Sequence, residues 1–320
     1  MIVIPPSYEI LNDLDRQSLA MRIEACGRLC YKSEDKISEA SAPIFIRNIL
    51  RHGHNSVAEM AVVTLEVIVD KESVATQLFK AMPRYLNIDI LEKNILLITA
   101  SVRAFRELYL EHANLKIVKA ITAFLLARHP LFFEDITPAR GIVPQSGVMV
   151  KKLYLSEVEN LPAHLLARHR YLAVKFIVNR AVTHEMVRHR PCSFLQESQR
   201  YCRYDSEKFG NQVTFIKPLF YEDEEGEEYR LWSQAMAETE KIYLQLLESS
   251  TAQAARTVLP NSCKTELIVY ANLMQWVHMF KLRVAKGADP SMREVMTPRL
   301  RDFGEHFPGV FEPLLAAQSS

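Results

Sequence analysis

Fourteen consecutive residues, Arg188-His189-Arg190-Pro191-Cys192-Ser193-Phe194-Leu195-Gln196-Glu197-Ser198-Gln199-Arg200-Tyr201, gather three guanidinium groups, an imidazole, and four neutral hydrogen-bonding side chains from Ser and Gln beside the Tyr201 phenol. That mixture suits an anion. Arginine forks match phosphate oxygens in geometry, and hydroxyls and amides add directional hydrogen bonds. Pro191 lacks an amide hydrogen and keeps a helix from running straight through the segment. A nucleotide is the first ligand these residue types suggest. A second Arg-His-Arg, at Arg168-His169-Arg170, is an internal control: eight positions beyond Arg170 stands Val178 rather than Ser, and the apolar run Tyr171 to Val178 follows directly. The longer pattern carries the chemistry, and the tripeptide alone does not.

Other ways of holding a nucleotide are missing. The nine glycines are scattered, with neither GxGxxG nor GxxxxGK(S/T) among them, which excludes Rossmann and P-loop readings. A nucleotide must then be held mainly by side chains, with Arg, His, Asn and Ser replacing a glycine loop and a helix N-terminus. His184-Glu185-Met186-Val187-Arg188-His189 begins like a zincin helix, but position 188 is Arg and His189 lies five residues on, rotated by roughly 140° from His184. No metal site is expected. Cys192 or Ser198 could act as a nucleophile among these positive charges. No order of carboxylate, His and Ser dictates a triad, so Cys192 reads as a space-filling residue and Ser198 as a hydrogen-bond donor. Arg180, His184 and Arg188 recur every four residues, predicting a cationic stripe on one helix that joins Arg190 and Arg200.

The 320 residues include 48% hydrophobic side chains, enough for a substantial core in one large domain or two ordinary ones. A net charge of +1 gives no global field favouring a nucleic-acid polymer or an anionic membrane, so anion affinity must be local. The best apolar candidate, Ala120 to Leu126, falls far short of the ~20 residues that span a bilayer. Five cysteines form no CxxC pair, and Met1 to Pro6 carry neither a basic nor a long apolar leader; a cytoplasmic, reducing location is expected.

The elements that must position the anion segment follow from periodicity. Residues 14–31 and 41–52 read as helices, with Ser41 as a cap and Pro43 in the first turn, leading to His52-Gly53-His54. Ala61 to Val69 and Tyr171 to Val178 are rich in β-branched and aromatic residues and read as strands of one sheet. Between them, helical stretches at Val102 to His112 and Lys116 to Arg128 and the Pro/Gly-bearing segment Thr137 to Pro144 suggest an inserted subdomain at about 71–169. Glu222 to Glu228 reads as a solvated loop ahead of a helix whose stripe Trp232, Met236, Thr239, Tyr243 and Leu246 is core. Thr265 to Arg283 reads as a second long helix, with Asn272, Trp276 and Arg283 within roughly 40° on one face. The predicted class is α/β of the α+β type: a central, mainly antiparallel twisted sheet flanked by helices, with a helical insertion, and not Rossmann.

Three segments together resemble the flavin-dependent thymidylate synthases. His52-Gly53-His54-Asn55-Ser56-Val57-Ala58-Glu59-Met60 is similar to the family's GHxSxxEH pattern. Asn179 to Tyr201 resembles its Arg-His-Arg signature with the lead-in, and Ala255 to Pro260 followed by Thr265, Asn272, Trp276, His278, Phe280, Leu282 and Arg283 resembles its C-terminal block. Ala100 to Glu107 is similar to a further family element. Met60 stands where the family often has His, Met274 where it often has Arg, and Glu185 where Gln is commoner, while Ala288 to Arg293 follows AQxEIR only loosely.

The resemblance implies a single domain over 1–320 that methylates dUMP to dTMP, with methylenetetrahydrofolate giving the carbon and FAD, reduced by NADPH, giving the hydride. It also implies a homotetramer with shared active sites. By motif position, Ser56, Arg188, His189, Arg190, Pro191, Gln196, Asn272, Met274 and His278 would contact FAD. Glu185, Met186, Val187, Arg188, Gln196, Glu197, Ser198, Gln199, Arg200, Arg256 and Arg283 would hold dUMP, with Arg283 catalytic through ionisation of the uracil N3. Two competing readings are a catalytically silent nucleotide-binding paralogue, favoured by Met60 and Met274, and an RNA-binding module stacking bases on the Arg/His/Tyr cluster. Near-neutral charge argues against the second.

Overall fold

The structure, a computed structural model, describes residues 1–319. Its ten strands among those residues are β1 (Ile2–Ile4), β2 (Ser7–Ile10), β3 (Val62–Val69), β4 (Leu86–Glu92), β5 (Ile95–Ser101), β6 (Val148–Leu153), β7 (Tyr171–Asn179), β8 (Ser193–Gln196), β9 (Thr214–Ile216) and β10 (Lys264–Asn272). The chain divides into two compact units: the first holds Met1–Leu11, Gly27–Asp35 and the chain from Ala173 onward, the second Asn12–Cys26 and Lys36–Leu172.

In the first unit a four-stranded sheet runs β2-β7-β10-β8, and β1 pairs with β9 in parallel. The β2–β7 and β10–β8 pairs are antiparallel, with Ser7 opposite Ile177 and Leu267 opposite Gln196. In the second unit the order is β4-β5-β3-β6, antiparallel throughout. The mixed, mainly antiparallel class is therefore as the sequence indicated. The single sheet expected to join Ala61–Val69 with Tyr171–Val178 is not formed: β3 and β7 belong to different sheets. The reason lies in residues 71–169, which carry the expected helices Val102–His112 and Lys116–Arg128 and also β4, β5 and β6, so β3 finds its partners locally.

Three more expectations are corrected. Thr265 to Arg283 is not one helix: β10 ends at Asn272, and the helix begins at Leu273. Thr265, Ile268, Val269 and Tyr270 favour a strand that is buried on both faces. At the junction the Asn272 Oδ1 accepts from Gln275 N at 2.8 Å and the Gln275 Oε1 accepts from Asn272 N at 3.0 Å, a reciprocal cap that starts the helix at that point. The Arg180 stripe is cut short because its helix, Arg180–Met186, ends before Arg188. Ser41 is the first helical residue rather than the cap, and its hydroxyl donates to Glu24 at 2.8 Å.

Trp276 lies in the first unit's core, its ring centroid 5.1 Å from that of Phe303 and 6.4 Å from that of Phe176. The stripe of helix Glu227–Ser249 is also core at Met236 and Tyr243, although Thr239 is partly exposed. No helix among the described residues is long and apolar enough to cross a membrane.

Candidate functional site

The two Arg-His-Arg copies have opposite surroundings. In the second unit His169 is buried, with Nε2 2.8 Å from Asp89 Oδ2 and Nδ1 2.7 Å from Thr99 Oγ1. Arg170 bonds Asp15 at 2.6 Å and Glu159 at 3.1 Å, and Arg168 lies 2.7 Å from Asp89. That copy is consumed by packing. In the first unit Arg188 and Arg190 are exposed, and neither meets a carboxylate at ion-pair distance among the described residues.

The short helix Arg180–Met186 is started by Asn179, whose side chain accepts from Val182 N at 2.9 Å, and it delivers Glu185, Met186 and Val187 to the turn that carries the tripeptide. Arg283, the last residue of helix Leu273–Arg283, closes onto that turn: Nη1 bonds the Glu185 carboxylate, Nη2 donates to the Glu185 carbonyl at 3.2 Å, and Nε donates to His189 Nε2 at 3.2 Å. His189 Nδ1 lies 2.9 Å from the Met186 carbonyl. Burial pulls the His189 imidazole below its ordinary value, and the cationic Arg283 adds to that. Met186 is fully buried and offers only backbone to a ligand. Val187 is exposed.

On the same helix Met274 and His278, four apart and exposed, share one face, and the His278 ring centroid is 6.4 Å from that of His189. Asn272 is buried with its carboxamide oxygen committed to the helix cap. Pro191 is exposed beside Arg190.

Beyond β8 the chain alternates. Gln196 donates to Thr183 Oγ1 at 3.0 Å and Thr265 Oγ1 at 3.2 Å, buried Glu197 bonds Tyr204 and Lys264, and buried Gln199 donates to Cys263 Sγ at 3.3 Å. Ser198 is half-buried and Arg200 is exposed. The Arg200 Nε donates to Gln253 Oε1 at 3.3 Å, one helical turn before Arg256. Among the described residues neither Arg200 nor Arg256 has a carboxylate within ion-pair distance. Of the residues expected to hold dUMP, Ser198, Arg200 and Arg256 thus keep groups free for a ligand, whereas Glu197 and Gln199 turn inward. Ser56 is exposed in the second unit, and Met60 is fully buried there.

Cys192 does not have a nucleophile's surroundings: burial pushes its thiol up to about 12. Sequence reasoning gave no site role to Thr183, Lys264, Thr265 or Gln253; only a strand reading of 264–272 would have placed Lys264 beside Glu197 and Thr265 beside Gln196.

The arrangement can bind and orient. Guanidinium groups at Arg188 and Arg190, and at Arg200 and Arg256, that meet no carboxylate at ion-pair distance among the described residues suit phosphate groups, and the exposed His278 ring lies 6.4 Å from that of His189 between Arg188 and Arg190.

The family model described as "Thymidylate synthase complementing protein" matches residues 15–82 and 153–309. A flavin-dependent thymidylate synthase of Pyrococcus furiosus is 36% identical over 128 residues, 40% of this chain and 51% of that protein. One of Corynebacterium efficiens is 31% identical over 150 residues, 42% and 57% of the two chains, and one of Mycobacteroides abscessus is 28% identical over 186 residues, 52% and 71%. The chain thus spans about half the length of the first two of these curated relatives. A crystal structure of a UMP/dUMP methylase from Streptomyces cacaoi bound with 5-Br dUMP overlays with a TM-score of 0.42 at 14% identity, covering 99% of this chain and 97% of that one, a likeness too loose to carry an argument.

Proposed function

From the premise that this chain belongs to the flavin-dependent thymidylate synthase family, we propose that it methylates dUMP to dTMP as that family does. FAD is its cofactor in this reading, with methylenetetrahydrofolate as carbon donor, NADPH as reductant, and a cytoplasmic homotetramer as the working form. The observation that carries the proposal is the clamp of Arg283 on Glu185 and His189.

The residues fit FAD in donor type. Arg188 and Arg190 would meet its phosphates, and the exposed Met274 and His278 face would meet its ring system; Gln196 is held ready by two threonines. The flavin, when bound, supplies hydride transfer, and the protein supplies orientation and charge. Arg200, Arg256 and Ser198 would hold the nucleotide phosphate. Arg283 would place a cation at the uracil N3, where it stabilises charge developing on the base, and Glu185 offers an acceptor to the N3 hydrogen. Met60, buried in the second unit, serves packing there and leaves that contact of the motif to another residue.

The test is the visible spectrum of the purified protein after adding FAD and removing excess, followed by anaerobic NADPH with and without dUMP. Flavin bands that bleach faster with dUMP are expected, together with folate-dependent dTMP formation. A protein that stays colourless or makes no dTMP overturns the proposal and leaves the silent-paralogue reading.

A further inference from the structure

Behind the Ser198–Arg200 turn lies a line of charged side chains that the proposed chemistry does not use. Glu197, 2% exposed, has both carboxylate oxygens engaged: Oε1 accepts from the Tyr204 hydroxyl at 3.0 Å and Oε2 from Lys264 Nζ at 2.9 Å. Lys264 Nζ also donates to Glu266 Oε1 at 2.6 Å, and the same oxygen accepts from Lys32 Nζ at 2.9 Å. Lys32 further donates to Glu34 at 2.9 Å. The four inner members, Glu197, Lys264, Glu266 and Lys32, alternate in sign and sum to zero net charge. Burial acts to lower the Lys264 pKa, but Glu197 and Glu266 outweigh it and hold the ammonium above its ordinary range.

The backbone is tied along the same line. Glu197 N donates to the Glu266 carbonyl at 2.8 Å, and Ser198 N donates to the Cys30 carbonyl at 3.0 Å. Lys32 sits at φ 49°, a conformation unusual for a residue with a side chain, and Lys208 bonds its carbonyl. Glu197 and Gln199 are buried while Ser198 is half-buried and Arg200 exposed, so anchoring Glu197 holds the start of the turn that carries Ser198 and Arg200.

We propose that Lys264, with Glu197, Glu266 and Lys32, is a positioning device that holds Ser198 and Arg200 outward for the phosphate of a nucleotide and keeps the Glu197 carboxylate away from it. The inference rests on the reading of Arg200 as a phosphate ligand. A carboxylate free to swing beside a bound phosphate would repel it; paired and buried, Glu197 cannot.

The test measures dUMP affinity by calorimetry on FAD-loaded protein, with flavin content and amide exchange of Ser198 read on the same samples. Lys264→Met is expected to weaken dUMP binding by about tenfold, the scale of one lost charge-assisted hydrogen bond, and to speed Ser198 exchange. The double variant Lys264→Met/Glu197→Gln, which restores neutrality without the bridge, is expected to stay weak. Lys264→Arg, able to span both carboxylates, is expected to bind near wild type. Flavin content is expected to hold in all three. Wild-type affinity in Lys264→Met or in the double variant overturns the device, as does flavin loss in parallel with dUMP affinity. If Lys264→Met does not fold, Lys32→Met at the far end is expected to show the same change in weaker form, and unchanged affinity there overturns the device. Arg200→Gln separates the two readings: wild-type affinity in that variant overturns the phosphate assignment itself, while loss there with wild-type affinity in Lys264→Met overturns only the device.

Discussion

The Arg283 Nε donates to His189 Nε2 across 3.2 Å, and that bond fixes the protonation of the imidazole. A guanidinium has only donors, so Nε2 must present its lone pair and the ring proton must sit on Nδ1, where it is given to the Met186 carbonyl at 2.9 Å. His189 is therefore a neutral residue with both nitrogens used. Its pKa is lowered in the folded state, by burial first and then by its interaction with Arg283. The stability it contributes is present above the unfolded imidazole value of about 6.5 and is lost as pH falls from there towards the lowered folded value. The thermal midpoint of the wild type is expected to drop between pH 7.5 and 5.5 by more than that of His189→Gln, about 7.5 and 5.5 being chosen to bracket that value. Parallel curves for the two proteins would refute the neutral assignment; the difference between them isolates His189 from His169 and His129, whose pKa values burial also lowers.

Removal of the Arg283 side chain should separate turnover from flavin binding. Arg283→Ala leaves Glu185 partly solvated at 36% side-chain exposure, so the fold has water to replace the lost partner. Loss of one preorganised cation at a developing charge lowers kcat by about 10²–10³. Arg283→Lys should recover little, since a single ammonium cannot reach Glu185 and His189 together. Steady-state dTMP formation and the flavin spectrum check both halves; full turnover in Arg283→Ala would remove the residue from catalysis.

The anion-binding residue types, and the helix Lys116–Arg128 with its ends, could be read from the sequence because they are local signals. The positioning of Glu197 could not. An apolar, periodic stretch from Thr265 to Arg283 reads as helix, and on a helix Lys264 and Glu266 would point roughly 200° apart. On a strand, residues two apart share a face, and there the two side chains meet at 2.6 Å. The split into two sheets was hidden for a related reason: strand pairing is non-local, and β3 could be matched to β5 and β6 only once Ile95–Ser101 and Val148–Leu153 were known to be strands. Trp276 shows the opposite limit, since its shared helix face with Arg283 was legible but its burial depended on Phe303 and Phe176 from elsewhere in the chain.

Two residues two positions apart on that helix should respond in opposite ways. Trp276 is fully buried among Phe176, Phe280 and Phe303, and Trp276→Ala should cost about 3–5 kcal/mol, enough to deplete folded protein. Met274 is 46% exposed, so Met274→Ala should leave the denaturation midpoint within about 0.5 kcal/mol of wild type. Met274→Arg, which adds a cation to the face shared with His278, should tighten FAD binding in a fluorescence titration. Weaker FAD binding in that variant would place the cofactor's phosphates away from this face.

Cys192 tests whether the electropositive segment activates a thiol. Three arginines in its stretch of sequence would favour the thiolate, yet burial wins and pushes the pKa up to about 12. At pH 8 the thiolate fraction would then be about 10⁻⁴, since each unit between pH and pKa is a factor of ten. Iodoacetamide at that pH should leave Cys192 unmodified in the folded protein over a period in which a denatured sample is fully labelled, and Cys192→Ser, which replaces one sulfur by oxygen, should keep dTMP formation within about twofold, the scale of about 0.5 kcal/mol. Rapid labelling mapped to Cys192 by peptide mass, accompanied by loss of turnover, would return it to the list of catalytic candidates.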